Sequence, residues 1–325
     1  MIQNIVLSTI VLNTTINKYR KFVYKPIQSN YYLKYFVKNL ISNETKLISM
    51  NNTHFILIRV NYYNKLNKTF NLKIKPYLGN QGCDTLKNLN NNLRTGSVYT
   101  IDFKNTSKNF KNTNLTSICF GDIRTIQSQP TFTKSRNILL NNQNNVILKL
   151  EKNRHFNFIS DKTLFKNKKN MLVWRGSLKT GYQQNRKIFV EKYTNNYLLN
   201  ITGNFMTIRE QLNYKFILSL EGNDVATNLK WLMSSNSVCI MRKPTCETWF
   251  MEGLLKADYH YILIEDDYSD LIEKLNYYIK NENECLSIIK NANNYCKQFM
   301  DDKIEDKIGY EVFKKYINLC ENIIV

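Results

Sequence analysis

The 325-residue sequence is short of glycine and proline, with 10 and 4 of them. That excludes a linker-rich, collagen-like or many-turned all-β chain. Its seven cysteines (Cys83, Cys119, Cys239, Cys246, Cys285, Cys296 and Cys320) are odd in number and contain no CxxC pair. No zinc knuckle or disulfide framework is indicated, and reduced, mostly buried thiols in a cytoplasmic setting are expected. The three histidines, His54, His155 and His260, lie far apart and make no HExxH-type site. Neither a Walker A pattern nor GxGxxG occurs, which lowers the kinase and dehydrogenase readings. The apolar N-terminus "MIQNIVLSTIVLNTT" runs for about a dozen residues, against the ~20 needed to span a bilayer. It has no basic leader region, so a first β-strand is expected there.

What the sequence has in excess is positive charge and Asn, Lys, Ile, Tyr and Phe. The formal charge is +20, and it is uneven. Residues 258–325 hold 14 acidic and 8 basic side chains, whereas the first 257 residues hold 12 and 38. One reading is a basic surface for phosphates, anionic glycans or a membrane face. The plainer alternative, codon bias from an AT-rich genome, carries more weight for the total. No zinc-finger spacing, basic heptad or aromatic RNA-binding signature is present, so no nucleic-acid partner is expected. The N-x-S/T triplets at Asn13, Asn43 and Asn67 are what an Asn-rich chain makes by chance.

With 43% hydrophobic residues the chain can bury sizeable cores. In the first half, "HFILIRVNYY" (His54 to Tyr63), "SVYTIDF" (Ser97 to Phe103) and "TSICFGDI" (Thr116 to Ile123) read as strands. The second half alternates more clearly. The strands are "NMLVWRGS", "YLLNI", "KFILSL", "SVCIMR" and "YHYILIE"; the helices are "QQNRKIFVEKY", the segment after Gly222 and "TWFMEGLL". From Asp266 on the pattern is mostly helical. Strands alternating with helices imply βαβ units and a parallel, Rossmann-like sheet. A boundary near Phe165 to Asn170 divides the chain into residues 1–167 and 168–325.

In parallel α/β sheets ligands bind beyond the carboxyl ends of the strands. "LEGNDVATNLK" (Leu220 to Lys230) is such an end. Gly222 permits a backbone conformation closed to other residues, and a helix starting at once offers free N–H groups and the positive end of its dipole. Lys230 adds a point charge. A second strand end, Arg175-Gly176-Ser177 with Arg186 on the next helix, offers a guanidinium and a hydroxyl. Two anion-seeking strand ends in one domain fit a diphosphate.

"KFILSLEGNDVATNLKWLMSSNSVCIMRKPTCETWFMEG", followed by "DYHYILIEDDYSDL", resembles the lipopolysaccharide-modifying and capsule-associated glycosyltransferases of family 90, relatives of the protein O-glucosyltransferases. "VWRGS", "KSRNI", "RHFNF" and "RVNYYNKL" add to it. The resemblance covers residues 54–300 and is most specific through 171–275. It implies an α/β GT-B fold: two Rossmann-like domains facing a cleft, here with a helical C-terminus. It also implies a UDP-sugar donor, glucose or xylose, and inverting transfer to a glycan or glycoconjugate hydroxyl with no metal or other cofactor. Carried over, Asp122 stands in the place of the catalytic carboxylate. Gly222, Asn223, Asp224, Val225, Ala226, Thr227, Asn228 and Lys230 form the segment that holds the donor diphosphate. Arg175, Gly176, Ser177 and Arg186 form its second strand end. Lys230 replaces an arginine of the family, keeping charge but losing the bidentate fork.

Each assignment has a plainer alternative. Asp122 alone reads as a turn or N-cap carboxylate and Arg175 as half of a surface ion pair. Glu247 is read as the ribose ligand, against a solvated helix face. Asp266 and Asp267 read as helix caps rather than a metal-binding DxD. His155 and His260 either touch ligand or pack, and Trp174, Trp231 and Trp249 read as core. For the whole chain, a non-catalytic nucleotide- or glycan-binding α/β protein with a basic surface is the alternative. Membrane association stays open.

Overall fold

The computed structural model describes residues 51–138, 142–178 and 184–321. The expected N-terminal strand lies outside them. The described chain opens with helix α1 (Asn51–Tyr63), a hairpin of β1 (Lys75–Leu78) and β2 (Gln81–Thr85), and helices α2 (Leu86–Asn92) and α3 (Val98–Ser107). Then come β3 (Leu115–Cys119), β4 (Thr131–Thr133), β5 (Arg136–Asn137), β6 (Asn145–Ile147) and the short α4 (Lys152–His155). One sheet has the order β1-β2-β3-β4-β6, antiparallel through β1, β2 and β3 and parallel through β3, β4 and β6.

The second half supplies β7 (Lys169–Val173), α5 (Asn185–Tyr193), β8 (Leu199–Asn200), α6 (Ile208–Gln211) and β9 (Tyr214–Leu218). It continues with α7 (Leu229–Met233), β10 (Val238–Met241), β11 (Cys246–Glu247) and β12 (Ile262–Leu263). Strands in the order β12-β10-β9-β7-β8 form a wholly parallel sheet. Its central strands β9 and β10 are buried along their whole length. Burial on both faces explains why they read as unbroken apolar runs. Helices α8 (Leu271–Lys280), α9 (Glu282–Lys297) and α10 (Asp302–Leu319) close the chain. The structure is thus mixed α/β with parallel pairing in both sheets and a helical C-terminus.

Two of the three strands expected in the first half are helices. In α1 the buried residues Ile56, Arg59, Val60 and Tyr63 follow helical spacing, while Leu57 and Ile58 are exposed. A run of apolar residues therefore hid an amphipathic helix. In α3 the β-formers Val98, Tyr99 and Thr100 are overridden by packing: Phe103 lies edge-on to Phe120 and tilted against Phe313. "TWFMEGLL" is likewise not an α-helix. Cys246–Glu247 forms a bridge strand and only Glu252–Leu254 makes a 3-10 turn. Asp270, not Asp266 or Asp267, is the N-cap residue of α8. Asp267 closes a local turn by accepting from Ser269 N, and Asp266 pairs with Arg242.

Strand β5 pairs antiparallel with β11, Arg136 opposite Glu247 and Asn137 opposite Cys246, so a two-stranded seam joins the halves. The last helix also returns to the first half. Asp301 caps α10 by accepting from Lys303 N and Ile304 N. Its buried stripe, Ile308, Val312, Phe313 and Tyr316, covers the first sheet. Phe313 stacks on Phe132 at 4.6 Å between ring centroids, and Tyr316 OH donates to Pro130 O at 2.8 Å. Six of the cysteines are buried and all seven are free thiols. No helix among the described residues is long and apolar enough to cross a membrane.

Candidate active site at two facing strand ends

β3 ends in the turn Phe120-Gly121-Asp122-Ile123. Gly121 has φ +113, a conformation that a side chain would strain. It is here, and not at Gly222, that the chain needs a glycine's backbone freedom. Ser135 Oγ accepts from Ile123 N and donates to Ile123 O, both at 3.0 Å, so the turn is clamped. Asp122 emerges with its side chain 23% exposed. Lys134 Nζ lies 2.5 Å from Asp122 Oδ1, and Asn223 Nδ2 donates to Asp122 Oδ2 at 3.2 Å. Burial alone would raise the Asp122 carboxyl. The Lys134 ammonium, then Arg154 and the Asn223 amide, outweigh that and hold it below the ordinary carboxylate range.

Lys134 begins the buried segment Lys134-Ser135-Arg136 that follows β4. Besides Asp122 it meets Asp224 Oδ2 at 2.9 Å and Glu151 Oε2 at 3.4 Å. Glu151 stands at φ 56, a left-handed conformation for a residue with a side chain. Its carboxylate accepts from Tyr99 OH at 2.8 Å and pairs with Arg154 at 3.0 Å. His155 is buried beside it, and burial drops its imidazole to about 4. At that value the ring is neutral and packs as core.

Across from Asp122, at the end of β9, the loop Glu221 to Asp224 is pinned from both sides. Arg124 Nε donates to Asn223 O at 2.6 Å, and Glu221 Oε1 accepts from Thr245 N at 2.9 Å. Arg186 donates to Leu220 O, Glu221 O and Ser177 O. Gly222 lies against this guanidinium: a Cβ there would come within 3.0 Å of Arg186 Nη2. Its φ is ordinary, so the missing side chain makes room for Arg186 rather than for an unusual backbone. Val225, Ala226 and Leu229 form one wall of a shallow cleft beyond the ends of β9 and β10. Met241, Pro244 and Cys246 form another, with Arg242, Lys243 and Glu252 also on it. Helix α7 begins only at Leu229, several residues after Gly222, and is five residues long.

The expected residues thus fall into two groups. Asp122, Arg186, Gly222, Asn223, Asp224, Val225 and Ala226 surround the two facing strand ends. Others are drawn into the framework. Asn228 donates from Nδ2 to Leu218 O and accepts from Ser219 Oγ, tying the loop to its strand. Lys230 is fully buried, 2.5 Å from Glu252 Oε1 and over the rings of Phe156 and Phe250. Glu247 is buried against Arg136 at 2.7 Å and accepts from Tyr62 OH. Glu252, rather than Glu247, lines the cleft. Arg175 donates to Trp174 O, Asn200 O, Asn200 Oδ1 and Asn204 O, fixing the loop after β8. Gly176 sits against the buried ring of Trp174. Ser177 offers its carbonyl to Arg186, and Thr227 is half-buried beside Ala226. Trp174, Trp231 and Trp249 are all buried. His260 Nδ1 accepts from Lys256 N, a packing role.

Sequence reasoning missed Lys134, Arg136, Glu151, Arg154, Arg124 and Glu221 as functional groups. "KSRNI" and "RHFNF" held three of them, but basic side chains in short polar segments look like solvated surface until burial is known.

The sequence profile of glycosyl transferase family 90 matches residues 131–322. O-glucosyltransferase LpsA of Dichelobacter nodosus is 39% identical over 275 residues, covering 81% of this chain and 83% of that protein. Uncharacterized protein 179R of Invertebrate iridescent virus 6 is 30% identical over 153 residues, 43% of this chain and 13% of that one. Uncharacterized protein 035R of Invertebrate iridescent virus 3 is 30% identical over 94 residues, or 28% and 8%. On the profile match and the extent of the similarity to LpsA, the chain belongs to glycosyl transferase family 90.

Proposed function

We propose that this glycosyltransferase moves a sugar from a UDP-sugar donor to a hydroxyl of a glycan or glycoconjugate, with inversion and without a metal. Glucose is favoured over xylose because the relative LpsA is named an O-glucosyltransferase. In this reading residues 1–167 carry the base and the acceptor, residues 168–325 carry the donor, and the two halves face each other as in a GT-B fold.

The observation that carries it is the 3.2 Å hydrogen bond from Asn223 Nδ2 to Asp122 Oδ2. It brings an ionised carboxylate at one strand end beside the glycine-containing loop of another. Asp122 accepts the acceptor's proton as the hydroxyl oxygen attacks the anomeric carbon. The bond from that carbon to the phosphate oxygen breaks on the opposite face, and UDP leaves with the electron pair. The main-chain N–H groups of Gly222 to Thr227 and the Arg186 guanidinium stabilise the departing diphosphate. The cleft beside Val225 and Ala226 takes the nucleoside.

The test is a thermal-shift and hydrolysis screen of nucleotides and UDP-sugars with and without chelator. UDP is expected to raise the melting temperature equally in EDTA. Equal stabilisation by ADP, or a strict manganese requirement, would refute the reading.

A further inference from the structure

Lys134 is 1% exposed, and three carboxylates from three chain segments converge on it. Asp122 comes from the end of β3, Asp224 from the loop after β9, and Glu151 from the segment after β6, at 2.5, 2.9 and 3.4 Å. A cation serving stability alone needs one well-placed partner; burying three anions on one ammonium is costly unless their placement matters. Glu151 reaches the cluster only by holding a left-handed backbone at φ 56. Unfavourable backbone of this sort persists where surrounding contacts over-determine it. Two of the three carboxylates stand at the facing strand ends, one in each half of the chain.

The structure assigns Lys134 as the positioning residue of this site: its ammonium ties Asp122 to Asp224 and so fixes the base relative to the donor loop. The role in transfer rests on the reading of Asp122 as the base. Asp122 faces the cations Lys134 and Arg154, the carboxylates of Asp224 and Glu151, the Tyr99 hydroxyl and the Asn223 amide. Of these Lys134 is the strongest influence holding it ionised. The same ammonium, pulled between the two strand ends, restrains the loop Glu221 to Asp224 from the first half.

The experiment combines a carboxyl-carbon NMR titration of Asp122, identified by the signal lost in Asp122→Asn, with steady-state kinetics on a UDP-sugar. In the wild type the Asp122 midpoint is expected below 3.8. Lys134→Met is expected to raise it by about one unit or more. It should also lower kcat/KM by about 10- to 100-fold and move the acidic limb of the pH profile upward. Lys134→Arg keeps the charge and is expected to restore most of both. Asp224→Asn is expected to raise the donor KM while the Asp122 midpoint stays at or below the wild-type value. An unmoved midpoint in Lys134→Met, or an unchanged donor KM in Asp224→Asn, overturns the assignment. If Lys134→Met does not fold, Asp224→Asn and Lys134→Arg decide it by the same criteria. If the wild type neither binds UDP nor turns over any UDP-sugar, the donor reading falls. The carboxyl titration then still decides whether Lys134 holds Asp122.

Discussion

Lys230 Nζ lies 2.5 Å from Glu252 Oε1, with the two side chains 0% and 1% exposed. Glu252 also accepts from Thr248 N and Thr248 Oγ1. The pair forms the support beneath the cleft. Lys230→Met leaves a carboxylate buried with no counter-charge and is expected to cost about 3–5 kcal/mol. Lys230→Met combined with Glu252→Gln should recover a substantial part of it. Urea unfolding of the two single variants and the double variant checks the coupling. A lysine that instead contacts the diphosphate directly would lose UDP binding with little change in stability.

Asp122→Asn removes a negative charge but keeps the side chain's shape, leaving Lys134 with Asp224 and Glu151. Turnover is expected to fall by about 10²- to 10⁴-fold, the usual worth of a general base. The thermal shift with UDP should stay at the wild-type size. Retention of more than a tenth of the activity would remove Asp122 from the mechanism.

The two glycines at the strand ends should fail differently. A Cβ on Gly176 would lie 2.5 Å from Trp174 Cζ2, inside a buried ring. Gly176→Ala is expected to destabilise by about 1–3 kcal/mol through overpacking. In Gly222→Ala the contact is with the end of the Arg186 side chain, which can shift at the expense of its bonds to Leu220 O and Glu221 O. Its melting temperature should drop less than that of Gly176→Ala, and its UDP-induced shift more. Melting curves with and without UDP separate the two.

Asp102 sets a pH dependence of stability. It is 1% exposed and accepts from Lys152 N at 2.9 Å; burial raises its carboxyl to about 7, Lys152 offsetting only part of that. With the folded value above the ordinary 3.8, its contribution is complete below about pH 4 and is lost as pH rises through 7. Asp102→Asn does not share that loss. The variant should therefore gain on the wild type by roughly 2–3 kcal/mol between pH 5 and pH 8. A constant difference across that range would show that Asp102 ionises normally.

The parallel sheet was readable because burial on both faces leaves its own signature: "KFILSL" and "SVCIM" are uninterrupted apolar runs. Its loop after β9 was readable as well, since Glu221 to Asp224 interrupts such a run abruptly. The first half misled where apolar residues crowd one another. "HFILIRVNYY" has no polar alternation to mark a strand, and only burial at Ile56, Val60 and Tyr63 exposes the helical stripe. The charged centre was not legible. Nothing in the short segment itself distinguishes Lys134 or Arg136 from a surface cation; partners distant in sequence, Asp224 for Lys134 and Glu247 for Arg136, are brought to them only by the fold. The burial of Lys230 was hidden in the same way, since nothing in the sequence pairs it with Glu252.

The return of the final helix to the first sheet has a consequence for dissecting the molecule. Phe132 and Pro130 meet Phe313 and Tyr316, so an expression fragment ending near residue 167 would present a bare aromatic face and require the distant C-terminal segment supplied in trans. A boundary near residue 167 separates the two halves in sequence, but the first half is completed by polypeptide from beyond its own stretch of the chain.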